Sequence, residues 1–418
     1  MTAREVARRV LDRVDKGGAW ATLALDGELA RSGLDERDRR LAAELVYGVL
    51  RHRTRLDHAL AAHAELGRTP PKVRTALRVA AYQLLLLDRV PAHAAVNDAV
   101  AAARAVGGQK LGGFANAVLR KLAQAGEPAL PVDLRARLEI EYSLPRWILD
   151  ELAAATPDYA TIAPRLAEAP PLVARVNRLR TTRDALIAEL AADGVMATPV
   201  AEAPHALVLD GLGDPARNRA FLAGKWTVQD AGAQRVAELA EPARGMRILD
   251  ACAGVGGKST HLAELVDDAG TIDAADLSAT KLGLLAETQQ RLGLTCIRRH
   301  ACDLLDPAAP LGRDYDRIVL DAPCSGLGVL RRHPDAKWRL TPDAIPRLAA
   351  LQAQLLDAVI DRLAPGGILI YAVCTFTRAE GPDQIAAFAA RRKLRVLRET
   401  RTYPPACDAF YVAALVAG

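Results

Sequence analysis

Beyond Gln229 four apolar runs, MRILDA, TIDAADL, DRIVLDAP and GGILIYAVC, recur with helix-length segments between them. Short runs rich in Ile, Val and Leu read as buried strands, and their alternation with helices predicts a doubly wound, mostly parallel α/β sheet. Ligands of such sheets bind outside the carboxyl ends of the strands, so the residues that follow each run are the first candidates for chemistry.

That sheet leaves more than half of the chain to explain. The 418 residues exceed the roughly 250 to 300 that a single core accommodates, so a multidomain protein is expected. Residues 3–125 carry Ala and Leu at helical spacing with almost no strand-forming runs, which predicts an all-α domain. Within it the pattern predicts a helix over 72–87, another over 92–106 that stops at Gly107 and Gly108, and a third over 114–125. The stretch GEPALPVD, 126–133, reads as a linker. Residues 134–228 mix strand runs, LVARVN and HALVLD, with a helix near 183–192, which predicts a small α+β module. The expected boundaries are therefore 1–130, 131–228 and 229–418.

Charge is uneven along the chain: residues 1–130 hold 21 Lys and Arg against 14 Asp and Glu, and the remainder holds 34 against 36. A basic N-terminal part suits a nucleic-acid partner, although an Arg-rich helical surface also serves solubility. No apolar run approaches the roughly 20 residues of a membrane span, and the charged N-terminus has no signal core. A cytoplasmic, monomeric protein with no membrane contact is expected. The six cysteines, Cys252, Cys296, Cys302, Cys324, Cys374 and Cys407, show no CxxC or Cys/His zinc spacing, so neither a disulfide framework nor a metal is indicated.

The segment ILDACAGVGGKSTHLAEL places a strand, a glycine-rich turn and a helix in succession, where backbone N–H groups can cradle a ligand. The next strand, TIDAAD, ends in Asp276, whose carboxylate can accept both hydroxyls of a ribose. A P-loop for ATP would need glycine where Cys252 stands, and a dinucleotide loop would need GxGxxG where Gly254, Gly256 and Gly257 are followed by Lys258. A nucleoside-bearing ligand is implied, but the loop alone does not choose it.

Two more strand ends carry thiols. DRIVLDAPCSGLG runs through Asp321 to Cys324, and GGILIYAVCTF ends in Cys374. Carbon 5 of cytosine becomes nucleophilic toward a methyl donor only after a nucleophile adds to carbon 6, and a thiolate suits that addition because it also leaves readily. Asp321 is placed to hydrogen-bond the exocyclic amine or ring nitrogen 3 of the base. A single buried cysteine would be packing. Two at strand ends, one preceded by Asp-Ala-Pro, suggest pyrimidine chemistry.

Together, DACAGVGGKST, DAPCSGLGVLRRHPDAKW and YAVCTFTRAE resemble the cofactor loop, Pro-Cys motif and second-cysteine motif of the bacterial Fmu/Sun-type (RsmB-type) ribosomal RNA cytosine-5 methyltransferases. The resemblance implies a Rossmann-like class I methyltransferase domain using S-adenosyl-L-methionine. It implies that Cys374 attacks the base and that Cys324 assists product release. It further implies cofactor contacts from Cys252, Ala253, Gly254, Val255, Gly256, Gly257 and Lys258, and from Asp276, Asp303 and Asp321. RVAAYQLLLLDRVPAHAAVNDAV and GGFANAVLRKL resemble a NusB-like RNA-binding domain, which favours ribosomal over transfer RNA. RRHPDAKW resembles a family stretch beside the substrate, so Arg331, Arg332, His333, Lys337 and Trp338 are expected to meet RNA. The loop departs from the family's CAAPGGK at Gly254 and Val255, Gly381-Pro382 follows Glu380 where the family has Asn, and Asp-Ala-Phe-Tyr (408–411) replaces Asp-Gly-Phe-Phe.

Overall fold

A computed structural model describes residues 1–88 and 90–417. The chain divides into two compact units: Met1–Glu168 with Leu330–Leu340, and Ala169–Val329 with Thr341–Gly418.

The first unit is helical. Ala3–Gly17, Ala21–Ser32, Glu36–Arg51, Arg53–Ala61, Pro71–Leu86 and Ala92–Ala125 pack their apolar faces around Val6, Val10, Leu45, Leu56, Leu77 and Leu119. Local chemistry marks several ends. The Thr2 hydroxyl accepts the Glu5 N–H, Asp35 accepts the Asp38 N–H, Pro71 opens its helix at the position where no amide hydrogen is needed, and left-handed Gly18 closes the first helix. Gly107 and Gly108 leave helical geometry, so Ala92–Ala125 is two helices meeting at a break where the sequence places the stop.

Three further helices, Leu134–Glu141, Arg146–Ala155 and Tyr159–Leu166, belong to this unit; the Arg55 amide, for example, donates to the Ser143 hydroxyl at 3.1 Å. The compact helical body thus continues past the expected boundary at 130, and the small module's strands begin only at Leu172.

The segment 330–340 packs in the same unit. Lys337 is 2% exposed and its ammonium donates to the Arg51 carbonyl at 2.8 Å, while Arg51 returns a bond to the Arg331 carbonyl at 3.1 Å. The Trp338 indole N–H donates to the Leu50 carbonyl at 2.8 Å with the Arg53 guanidinium over its ring. Asp335 accepts from the Ala21 amide, and Arg339 stacks on Trp20. This corrects the expectation that Arg331, Lys337 and Trp338 are held out for RNA. Arg331 and Lys337 are buried and Trp338 packs on the helical core; burial followed by the Arg51 charge presses the Lys337 amine well below its ordinary range. Arg332 and His333 are half-buried.

The second unit contains two sheets. The smaller is antiparallel, β2-β3-β1-β4, from β1 (Leu172–Val176), β2 (Met196–Pro199), β3 (Ala206–Asp210) and β4 (Trp226–Val228). Both predicted strands and the helix Arg183–Ala192 are present. The larger comprises β5 (Arg247–Ala251), β6 (Thr271–Asp276), β7 (Ile297–Ala301), β8 (Tyr315–Asp321), β9 (Leu363–Val373), β10 (Leu394–Arg401) and β11 (Tyr411–Ala417), ordered β7-β6-β5-β8-β9-β11-β10. Among the described residues β5 to β9 pair in parallel, and β11 and β10 add antiparallel at one edge. Strand order reverses between β5 and β8, which makes a crevice at their carboxyl ends. β7, IRRHA, and β10, LRVLRETR, lie at the two sheet edges, where exposed charge is tolerated and blunts pairing with other chains; that composition hides them from an apolar-run reading.

One buried ion pair fastens the small sheet to the helix that follows the glycine-rich loop. Arg175 of β1, fully buried, grips both oxygens of Glu264 at 3.1 and 2.7 Å, and also donates to Gln229, Thr260 and the Gly257 carbonyl. The partners lie on or beside the helix Gly257–Leu265, so this guanidinium fixes the element that follows the glycine-rich loop.

Candidate active site

The glycine-rich loop leaves β5 with three residues in left-handed geometry: Cys252 (φ 65°), Gly254 (φ 58°) and Gly256 (φ 82°). Gly256 is doubly required, because a Cβ there would lie 2.0 Å from Leu285 Cδ1. Asp276 organises the turn: its Oδ2 accepts the Gly254 amide and its Oδ1 the Ser278 amide, both at 2.8 Å. Each oxygen keeps a lone pair, so the carboxylate can still take a pair of ribose hydroxyls. Ala253 is buried under the loop and Val255 is exposed on it. The residues therefore fit a nucleoside-bearing cofactor, with Asp276 for the sugar and the loop backbone beside it. Asp303 is exposed, and its Oδ1 caps its own turn by accepting the Leu305 amide at 2.9 Å.

Lys258 does not reach outward from the loop. Its ammonium pairs with Asp321 Oδ2 and sits over the Phe410 ring. Burial would lower the Lys258 amine, but Asp321, then Asp250 and Cys374, outweigh it and hold it above the ordinary lysine value. Asp250, at the end of β5, is fully buried; it accepts from the Ser259 hydroxyl, and its other oxygen has no partner. Burial pushes its carboxyl up to about 7 despite the Ser259 bond.

The two thiols meet. β8 and β9 pair in parallel with Asp321 opposite Ala372, so the chain just beyond each strand comes together, and the Cys324 and Cys374 sulfurs stand 3.4 Å apart. The hydrogen bond to Cys374, reinforced by burial, raises the Cys324 thiol well above its ordinary value. Either sulfur can be the S–H donor across this contact. Cys252 is pushed up to about 12, by burial first and then by Asp321, Asp276 and Asp250. A thiol held protonated in that way is a loop residue and not a nucleophile.

Sequence reasoning missed what positions the pair. Glu380, fully buried, accepts from the Ser325 amide (2.7 Å), the Ser325 hydroxyl (2.5 Å), the Thr377 hydroxyl (2.8 Å) and Gln352 Nε2 (3.1 Å). Gln352 also donates to the Pro323 carbonyl, and Tyr371 donates to the Gln352 side chain and the Glu380 carbonyl. This carboxylate ties the turn after Cys324 to the turn after Cys374. A second stitch runs through Gly328, whose amide donates to the Cys374 carbonyl and whose carbonyl accepts the Ala409 amide. A Cβ on Gly328 would lie 2.0 Å from the Ala409 oxygen.

Comparison with known proteins is consistent along the chain. The family model described as 16S rRNA methyltransferase RsmB/F matches residues 237–415, the NusB family model matches 1–124, and an RsmF/B-like ferredoxin-like domain matches 144–214. A Synechocystis protein named "Probable ribosomal RNA small subunit methyltransferase B" is 38% identical over 93% of this chain and 89% of its own length. Ribosomal RNA small subunit methyltransferase B of Pseudomonas putida is 37% identical over 100% of this chain and 98% of its own. Among solved structures, PH0851 superposes with a TM-score of 0.82 at 22% identity, covering 100% of this chain and 99% of that one. NSun6 from Pyrococcus horikoshii, solved with SFG, gives 0.56 at 22% identity over 69% of this chain and 98% of that one. These two share the fold.

Proposed function

The chain belongs to the RsmB/F family of 16S ribosomal RNA methyltransferases, and from that membership and the paired thiols we propose that it methylates carbon 5 of a cytosine in small-subunit ribosomal RNA through a covalent Cys374–cytosine intermediate. S-adenosyl-L-methionine supplies an electrophilic methyl group on a sulfonium. The loop 252–258 and Asp276 hold it. The observation that carries the reading is the 3.4 Å contact between Cys324 and Cys374 beside Asp321.

The Cys374 thiolate adds to carbon 6 of the base, and the π pair shared by carbons 5 and 6 moves to carbon 5, which takes the methyl group. Loss of the carbon-5 proton to a base returns that C–H pair to the ring, and the Cys374 sulfur leaves with its own electrons. Before attack the Cys324 and Cys374 thiols share a hydrogen bond, and the Lys258 ammonium lies close enough to interact with Cys374. With Oδ2 of Asp321 engaged by Lys258, its Oδ1 serves the exocyclic amine of the cytosine. Carbon 6 is inaccessible inside a stacked helix, so the substrate base is flipped or single-stranded. The helical domain, with its excess of basic residues, supplies the contact to ribosomal RNA, with Arg332 and His333 as further candidates.

Replacing Cys374 with Ser in the folded protein abolishes transfer of labelled methyl to small-subunit ribosomal RNA, whereas Cys324→Ser accumulates a protein–RNA adduct on Cys374. Normal turnover by Cys374→Ser refutes the assignment, and an adduct on Cys324 exchanges the two roles. Bisulfite mapping of ribosomal RNA from cells with and without the gene reports the modified position.

A further inference from the structure

Sequence spacing indicates no metal, yet folding gathers three ligand-type side chains that are 33 and 23 residues apart in the chain: His205, Glu238 and His261. His205 immediately precedes β3 of the small sheet. Glu238 lies on the helix Ala231–Leu239, and His261 on the helix Gly257–Leu265 that follows the glycine-rich loop. One donor atom from each comes within 4.8 Å of the other two.

The cluster is unsatisfied as it stands. His261 is 0% exposed, and neither of its ring nitrogens has a hydrogen-bond partner. Glu238 Oε1 is buried and equally unpartnered. The two imidazoles meet edge to face with centroids 5.7 Å apart. A fully buried ring that uses neither nitrogen is costly, since each desolvated polar group normally regains a partner. Burial, followed by Arg175 and His205, presses His261 toward the neutral form, which is the form that binds a metal. The Gln234 backbone lies near the ring and opposes this only weakly, without a hydrogen bond of normal geometry to either nitrogen.

The nearby cations do not forbid a divalent ion. Arg175 is bound by both oxygens of Glu264, and Arg178 by Asp267. Arg183 adds its charge at the His205 side, and Arg235 at Glu238. Two imidazoles and one carboxylate match the borderline-soft donor set of zinc with a fourth position open. Around a tetrahedral zinc, bonds of about 2.0–2.1 Å put ligand atoms about 3.4 Å apart, so closure asks for side-chain movements of roughly 1 Å.

We propose that His205, Glu238 and His261 form a zinc-type divalent-metal site that clamps the small antiparallel sheet to the two helices flanking the cofactor loop. The site is separate from the thiol pair and is structural in role.

The test uses the full chain, stripped with a chelator, then titrated with Zn²⁺ against a chromogenic competitor and with Co²⁺ by absorption. One tightly bound equivalent is expected, with a tetrahedral cobalt spectrum free of thiolate charge-transfer bands and a rise in melting temperature on adding zinc. Glu238→Gln, His205→Gln and His261→Ala should each weaken binding by roughly tenfold or more, and the double variant Cys324→Ser/Cys374→Ser should leave it unchanged. If His261→Ala does not fold, the other two ligand variants decide. Absence of stoichiometric binding, equal affinity in Glu238→Gln and His205→Gln, or loss of binding in the cysteine double variant would overturn the proposal.

Discussion

Glu380 is the position at which a single atom should matter most. Its two oxygens accept four hydrogen bonds, two of them from Ser325, the residue after Cys324, and it lies six residues beyond Cys374. Glu380→Gln keeps the shape but removes the charge and replaces one acceptor with a donor. Charge-assisted bonds contribute about 1.5–3 kcal/mol each and neutral ones about 0.5–1.5, so four weakened bonds amount to roughly 4–6 kcal/mol before any relaxation. Rotation of the Ser325 and Thr377 hydroxyls to accept from the new amide, and relief of a buried charge, offset part of this. A loss of about 1–3 kcal/mol in unfolding free energy is expected, measurable by urea denaturation. Glu380→Ala leaves the Ser325 amide without an acceptor and opens a cavity, and should cost more than 3 kcal/mol. In Glu380→Gln the turn that holds Cys324 loosens relative to Cys374, so methyl transfer should fall at least about tenfold with S-adenosylmethionine affinity nearly unchanged, because Asp276 and the loop are untouched. The reasoning is refuted if both variants unfold like the wild type. It is also refuted if Glu380→Gln loses cofactor affinity in proportion to activity.

Three other perturbations test separate parts of the site. A two-electron oxidant such as a small disulfide should join Cys324 to Cys374, whose sulfurs need to close from 3.4 Å to about 2.05 Å, and block methyl transfer until a thiol reductant is added; mass spectrometry of the linked peptides checks this. Asp250 is raised from 3.8 to about 7, so the folded state binds its proton more tightly than the unfolded state does, and stability falls as pH rises from near 4 to near 7, then levels. That span is worth on the order of 4 kcal/mol, so Asp250→Asn should be more stable than wild type above pH 7 and lose the advantage below pH 4, as read from the difference between paired pH–stability curves. Gly256→Ala sets a Cβ against Leu285 in left-handed geometry and should cost about 1–3 kcal/mol while weakening S-adenosylmethionine binding in a titration; unchanged affinity would remove the loop from the cofactor site.

Local signals announced the elements whose stability is local. The strand runs of β5, β6, β8 and β9, the helix stop at Gly107–Gly108 and the small sheet's β1 and β3 were legible because each is written in contiguous hydrophobic period or punctuation. The loop, Asp276, Asp321 and both cysteines could be singled out as candidates because strand ends in a doubly wound sheet face one crevice. What required long-range contact was hidden. RRHPDAKW is basic with one tryptophan and reads as an RNA contact, but Lys337 and Trp338 spend their donors on the Arg51 and Leu50 carbonyls, some 286 and 288 residues away. Glu380 looks like an ordinary acidic residue in a turn until Ser325, Thr377 and Gln352 converge on it.

The sequence by itself determined which residues end the strands and thus which groups could be reactive, because strand period and direction are properties of a few consecutive residues. Only the tertiary structure decided which of them touch. The parallel register of β8 on β9 brings two cysteines fifty positions apart to 3.4 Å, and that contact together with burial holds the Cys324 thiol above its ordinary value. It also decided that Lys258 serves Asp321 and that His261 is left without a partner, since burial and pairing are set by what surrounds a side chain and not by what precedes it in the chain.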